Sequence, residues 1–305
     1  MPRLMECADP AAVSLGDCAE AIHAAGFAPT DECSVSHAAL WLRRLGNNPD
    51  FLGDALLESL KIRHRDEPAQ GYGPQAIQLT RPKNGVFLRA AVWPALADPM
   101  VAASGGASFV YGLPHDHNFS FLTHGYFGPG YWSDYYEYDY EAVAGWTGEL
   151  AHLRPAGRHR LEPGAIMLYR AHRDVHRQLP ADSLSVSLNV MHAEPALHWL
   201  DQYSFDVEKG TIAGRVDSGP SEAFLTIAVA LGGAEALACA ERFAATHPSE
   251  RMRLTALDAL AGQAPDRAAR DALWARAEGS GLRMVAMEAK ARRAELARAA
   301  QGGVP

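Results

Sequence analysis

From Gln75 onward the chain breaks into short segments rich in β-branched and aromatic residues: QAIQLT, GVFLRAAVW, ASFVYGL, FSFLTHGYF, WSDYYEYDY, AIMLYRA and LSVSLNVM. Gly, Pro and polar turns separate them. Many short strands in direct succession predict a sandwich or a barrel. A last pair, YSFDVE and TIAGRVD, turns about Lys209-Gly210 and runs to Ser218-Gly219-Pro220, where the strand texture stops.

The flanks read differently. Over 14–64, Ser14, Ser34 and Asn48 stand where helix caps belong, and Ala39, Leu42 and Leu45 recur at helical spacing. Residues 221–300 are rich in Ala, Leu and Arg, with breaks at Gly232-Gly233, His247-Pro248, Gly262 to Pro265 and Gly279 to Gly281. That predicts four or five helices, and SERMRLTALDALAG loosely resembles one helix of a HEAT-type repeat. The expected organisation is a helical segment over 1–74, a β-barrel over 75–218 and a helical domain over 219–305. The net charge of −8 gives no long-range attraction to phosphate, so no nucleic-acid partner is expected. No stretch reaches the roughly 20 apolar residues of a membrane span, and MPRLMECADP lacks a signal-peptide core, so a cytoplasmic protein with no membrane partner is expected. Cys7, Cys18, Cys33 and Cys239 are too scattered for a CxxC unit and are read as reduced thiols.

Thirteen histidines offer one pair with chemical meaning, His115 and His117 of HDH. In an extended chain, residues i and i+2 point to one side, so two imidazoles can meet one ion if a neighbouring strand supplies a third. Downstream, Leu161-Glu162-Pro163-Gly164 looks like a turn entering AIMLY, and His176 follows Gly164 by twelve residues, which makes it the candidate third ligand. His172 competes for that role. His124 lies an odd number of residues from His117 and so points to the opposite face of an unbroken strand; a bulge would reverse that. Asp116, between the pair, reads as a surface turn acceptor.

These motifs resemble those of the cupin superfamily: a His-x-His strand, then a Pro-Gly turn, a strand and a final His, in order across 75–207. The resemblance implies a double-stranded β-helix, or jelly-roll, barrel. The places where cupins carry a ligand Glu hold Phe121 and Leu122. Three His without Glu resembles the cysteine dioxygenase and thiol dioxygenase branch. HDH, the stretch HRQLPADSLSVSLNVM, and Arg89 standing 26 residues before His115 are similar to that branch, in which such an arginine binds the substrate carboxylate. Where some members cross-link a Cys to a Tyr, this chain has Leu122 and Met191; Phe87 replaces a common Tyr, and Ser187, Asn189 and Met191 stand where a Ser-His-Tyr trio is found.

Three imidazoles leave the full +2 of an ion uncancelled, which favours an anionic substrate, and leave positions open for catalysis. The expected protein is a mainly β cupin oxygenase with His115, His117 and His176 as ligands. Arg89 clamps a carboxylate, and Tyr126 and Tyr135 are the phenols expected to orient substrate or oxygen. Fe(II) is the expected ion, with Zn, Ni, Mn and Cu as alternatives that imidazole also accepts. A small-molecule substrate and O2 are the expected partners. Two other classes stay open: a non-redox isomerase, lyase or hydrolase using the ion as Lewis acid, and a ligand-binding barrel whose C-terminal helices dock a protein partner.

Overall fold

In the computed structural model, which describes residues 1–63, 75–216 and 219–301, the strands of the first part of the chain fall into two antiparallel sheets. Numbered along the chain, the larger sheet has the spatial order β1 (Arg3–Met5), β7 (Ile166–Tyr169), β4 (Phe121–Phe127), β9 (Ser185–His192), β3 (Val86–Trp93) and β2 (Ala76–Gln78). The smaller has the order β6 (Arg154–Leu161), β5 (Tyr131–Glu137) and β8 (Asp174–Gln178).

Side-chain alternation sorts the larger sheet into two buried faces. Val86, Leu88, Ala90, Leu122, Ile166, Leu168, Leu188 and Val190 pack on one side against Ile22 of α1 (Leu15–Ala25), Val35, Ala39, Leu42 and Leu45 of α2 (Glu32–Gly46), and Phe51 of α3 (Phe51–Arg63). Ala91, Trp93, Phe121, Met167, Tyr169 and Met191 point the other way and share a cluster with Tyr131, Tyr135 and Leu161 of the smaller sheet. A sheet covered on both faces needs apolar residues at successive positions, which is why β7 (IMLY) reads as a continuous apolar run and is buried throughout.

Several expectations change. Helix outweighs strand among the described residues, so the chain is a mixed helix and sheet protein rather than mainly β. The strands fall into two sheets, and among the described residues no strand pairing closes them into one barrel: the larger sheet ends in the three-residue strands β1 and β2, and β5 pairs with β6 and β8. After the short helix α4 (Pro99–Ser104), the segment ASFVYGL is a 3-10 turn, Gly106–Phe109, followed by a left-handed Val110 (φ 58°), a backbone that no strand accommodates. Three strands went unread: β1 lies in the segment expected to be helical, and in β6 and β8 outward Arg residues break the β-branched texture. Helix α1 begins at Ser14, whose side chain accepts the Asp17 N–H, as expected. Helix α2 starts instead on Asp31, which takes the N–H groups of Cys33 and Ser34. Asn48 Oδ1 accepts the N–H groups of Asp50 and Phe51 at the head of α3.

The chain divides into two compact units, one of Met1–Tyr140 with His152–Gln202, the other of Glu141–Ala151 with the chain from Tyr203 onward. In the second, the hairpin β10 (Tyr203–Asp206) and β11 (Thr211–Arg215) precedes five helices: α5 (Pro220–Leu231), α6 (Ala234–Thr246), α7 (Glu250–Gln263), α8 (Arg267–Glu278) and α9 (Arg283–Gln301), separated at the expected breaks. Helices α5 and α6 pack on α7, and α8 packs on α9. Residues 141–151 join this unit through long-range bonds, with Thr147 N–H donating to Glu288 Oε1 (2.9 Å) and Glu149 paired with Arg283 (3.0 Å). The boundaries expected at 74/75 and 218/219 fall on residues 74 and 218, outside the described residues; the division between the units runs between Gln202 and Tyr203. Among the described residues no helix is long and apolar enough to cross a membrane.

Candidate metal centre

Main-chain bonds assemble the histidines. His115 N–H donates to the His176 carbonyl (3.0 Å) and His176 N–H to the His115 carbonyl (2.9 Å), so two residues 61 positions apart face each other as a bridge. The two-residue period of extended chain then brings His117 to the same side. The ring centroids lie 4.9 Å (His115–His117), 4.5 Å (His115–His176) and 5.0 Å (His117–His176) apart. One nitrogen from each ring falls within 4.8 Å of the others, and Nε2 of His117 is 3.0 Å from Nε2 of His176.

Burial holds all three rings below the ordinary histidine range, because a desolvated imidazolium has no compensating anion here; for His117 and His176 the neighbouring rings add to the effect, and for His117 so does the charge of Arg89. His115 Nδ1 lies 2.9 Å from the Leu113 carbonyl. A carbonyl only accepts, so the proton sits on Nδ1 and the Nε2 lone pair is free. Fixing the second nitrogen in this way is what orients an imidazole for a metal. Two neutral nitrogens 3.0 Å apart need a proton or a cation between them, and nitrogens each about 2.0–2.1 Å from one ion can lie at that separation. The donor set therefore fits a single divalent transition ion held by His115, His117 and His176.

The surroundings are the inward face of the larger sheet. His117 packs edge-on against Phe121 (5.1 Å) and beside Phe119 (4.8 Å). Arg89, on β3 with its side chain on that face, donates from Nε to Asn189 Oδ1 (3.3 Å), and Asn189 Nδ2 donates to Thr123 Oγ1 (2.8 Å). The smaller sheet has three strands against six, so Phe87, Arg89, His117 and Phe119 stay partly exposed at the uncovered end. Tyr135 pairs in register with His176 and its hydroxyl meets that of Tyr169 (2.8 Å), whose ring lies 4.9 Å from that of His176.

Not every expected residue arrives. Tyr126 shares the parity of Leu122 and His124 and lies on the helix side, where its hydroxyl is held between the carbonyls of Asn48 (3.0 Å) and Pro49 (2.8 Å). His124 also points away, as its odd spacing from His117 requires, into a space that α2 leaves open at Gly46. His172 stays out of the triad: it adopts a left-handed backbone (φ 58°) and its ring lies over Tyr140 (4.0 Å). Asp116 is no surface residue; it is fully buried and accepts the Tyr138 hydroxyl. Three neighbours of the triad were missed: Tyr169, Gln178 and Gln202, whose amide nitrogen lies 3.4 Å from His117 Nδ1. Only Gln178 carried a signal, since it stands two residues beyond His176 and thus on the same face.

No family model and no curated protein matches the chain. Among solved structures it is similar to a DMSP lyase from Ruegeria pomeroyi DSS-3, with 12% identity over 39% of this chain and 47% of that chain and a TM-score of 0.24. It is also similar to a protein from Ralstonia eutropha JMP134 described as a mannose-6-phosphate isomerase, with 14% identity over 43% of this chain and 94% of that chain and a TM-score of 0.23. The chain spans just under half the length of the lyase chains it matches. At this degree of likeness the site rests on its own geometry.

Proposed function

We propose that this chain is a mononuclear metal enzyme of the cupin type that uses O2 to oxidise a small carboxylate-bearing substrate at Fe(II) held by His115, His117 and His176. The observation that supports it most is the convergence of three neutral imidazoles with no carboxylate among them. A ferrous ion held there supplies Lewis acidity and a one-electron partner for O2. The chain supplies the rest. Arg89 offers a planar fork to the substrate carboxylate from the partly open end, with Asn189 fixing its Nε. Phe119 and Phe121 pack against the His117 ring and give that side of the site an apolar wall. Burial pushes the phenols of Tyr135 and Tyr169 above their ordinary range, so both keep their protons and act as hydrogen-bond donors beside His176.

One observation favours a second reading. A protonated phenol pair next to a ligand suits a proton donor in a non-redox reaction, and the same donor set accepts zinc. Metal analysis of protein purified without added metal, combined with oxygen uptake on addition of amino acids, thiols and other small carboxylates, separates the two. Iron with substrate-dependent uptake supports the oxygenase; zinc with none moves the assignment to Lewis-acid chemistry. Protein with no metal and no uptake defeats both and leaves a ligand-binding protein whose C-terminal helices dock a partner.

A further inference from the structure

Helices α7, α8 and α9 border a groove of about 450 Å³ that lies wholly within the second unit. Trp274, Leu296 and Ala261 give it apolar walls, and four charged side chains line it as well. Two of those four cancel. Arg292 donates from Nε and a terminal nitrogen to the two carboxylate oxygens of Asp258 (2.7 and 2.8 Å), and its guanidinium lies over the Trp274 ring (5.1 Å). Arg270 is not neutralised in this way. Its Nε donates to the Ala261 carbonyl (3.0 Å), which fixes the plane of the guanidinium, and among the described residues its two terminal nitrogens have no hydrogen-bond or ion-pair partner. Glu295, the fourth, does not pair with it, although both line the same groove.

Gly262 is a second, independent sign. It lies inside the last turn of α7, where alanine is the better helix former. Its backbone is not left-handed, and a Cβ built on it would meet no atom within 4 Å, so neither conformation nor packing requires glycine there. A side chain at 262 would instead take up room in the groove that this residue lines. We propose that the groove binds a small, singly charged apolar carboxylic acid, with Arg270 clamping the carboxylate and Trp274 and Leu296 meeting the apolar body. A planar guanidinium with its Nε already engaged still offers the two parallel N–H bonds that a carboxylate accepts from its terminal nitrogens. Asp258 and Glu295 on the same walls repel a second negative charge, which selects a monocarboxylate over a phosphate or a diacid. Apolar walls, few polar groups and this volume are ordinary for a small-molecule site. The inference stands apart from the metal centre and does not depend on it.

Fluorine NMR titration of the full chain with para-fluorophenylacetate provides the test. The wild type is expected to bind this acid saturably, and to bind para-fluorophenylacetamide, the same shape without the charge, about tenfold or more weakly. Arg270→Gln is expected to weaken binding of the acid by a similar factor. Gly262→Leu is expected to abolish binding without loss of thermal stability, because leucine fills the groove and favours the helix. No saturable binding by the wild type, an amide bound as tightly as the acid, or wild-type affinity in Gly262→Leu each overturns the proposal. Should Arg270→Gln fail to fold, Gly262→Leu and the amide decide the question. Para-fluorophenyl phosphate bound more tightly than the acid overturns the choice of a singly charged ligand. Binding that is lost in Arg89→Leu and kept in Gly262→Leu belongs to the proposed metal centre and overturns the groove as its seat.

Discussion

The two faces of the six-stranded sheet are made by the same strands and do opposite things. Toward the helices, Leu88, Leu122, Leu188 and Val190 are fully buried under α1, α2 and α3. Toward the smaller sheet, the same strands present Arg89, Thr123 and Asn189 among aromatic rings, and the face stays partly open. Each face has a buried histidine environment. His124, on the helix side, is 2% exposed, has no partner on either ring nitrogen, and is pushed down to about 4 by burial and by the nearby Arg43 guanidinium. It is as neutral as the three converging histidines and stands alone. What distinguishes a site from a buried histidine is therefore the convergence of several lone pairs, since burial and a suppressed proton are common to both faces.

The sharpest way to break this contrast is to remove one histidine from each face. His176→Ala is expected to abolish stoichiometric metal binding, while His124→Leu leaves metal content, read by elemental analysis, at the wild-type level. Equal losses would mean that the two faces are not separate.

Acid should act on the helix face through His124. Its imidazole titrates near 6.5 in the unfolded chain and at about 4 in the folded one, so between those values the unfolded state takes up a proton that the folded state refuses. Stability is accordingly lost as the pH falls from 6.5 toward 4, by about 3 kcal/mol from this residue. Urea unfolding at pH 7 and pH 4.5 should show a shallower acid loss in His124→Leu than in the wild type; parallel losses would assign the effect to other groups.

The smallest effect concerns the room His124 occupies. A methyl group at Gly46 would collide with the His124 ring, so Gly46→Ala should destabilise by about 1–3 kcal/mol although alanine is the better helix former. Combining it with His124→Ala should recover part of that loss in a double-mutant cycle, whereas simple additivity would place the strain elsewhere.

Much of the site was legible because strand geometry is arithmetic. The spacing of HDH and the turn before His176 located the triad, and parity kept His124 out of it. The same parity puts Tyr126 with His124, so its selection as a site phenol followed aromatic density against the evidence of spacing. Gln178 was open to the same two-residue count and passed over because glutamine carries no motif. Tyr169 and Gln202 could not be found this way: the first reaches His176 from a strand of the other sheet, and the second comes from a segment after the last strand of that unit. Of the fold, helices and breaks were readable from caps and Gly-Pro punctuation. The two-sheet arrangement was not, since pairing between distant strands leaves little trace in either one. Residues 141–151 joined the second unit through Glu149 and Thr147, contacts that depend on α9 over a hundred residues later.

The reciprocal backbone pair between His115 and His176 holds these two donors at their spacing before any cation arrives. Loading the proposed centre should then require no rearrangement of that pair, and the slow event is expected to be the departure of solvent from the incoming ion. Filling rates that follow the water-exchange rates of different ions are the signature of such a preset socket.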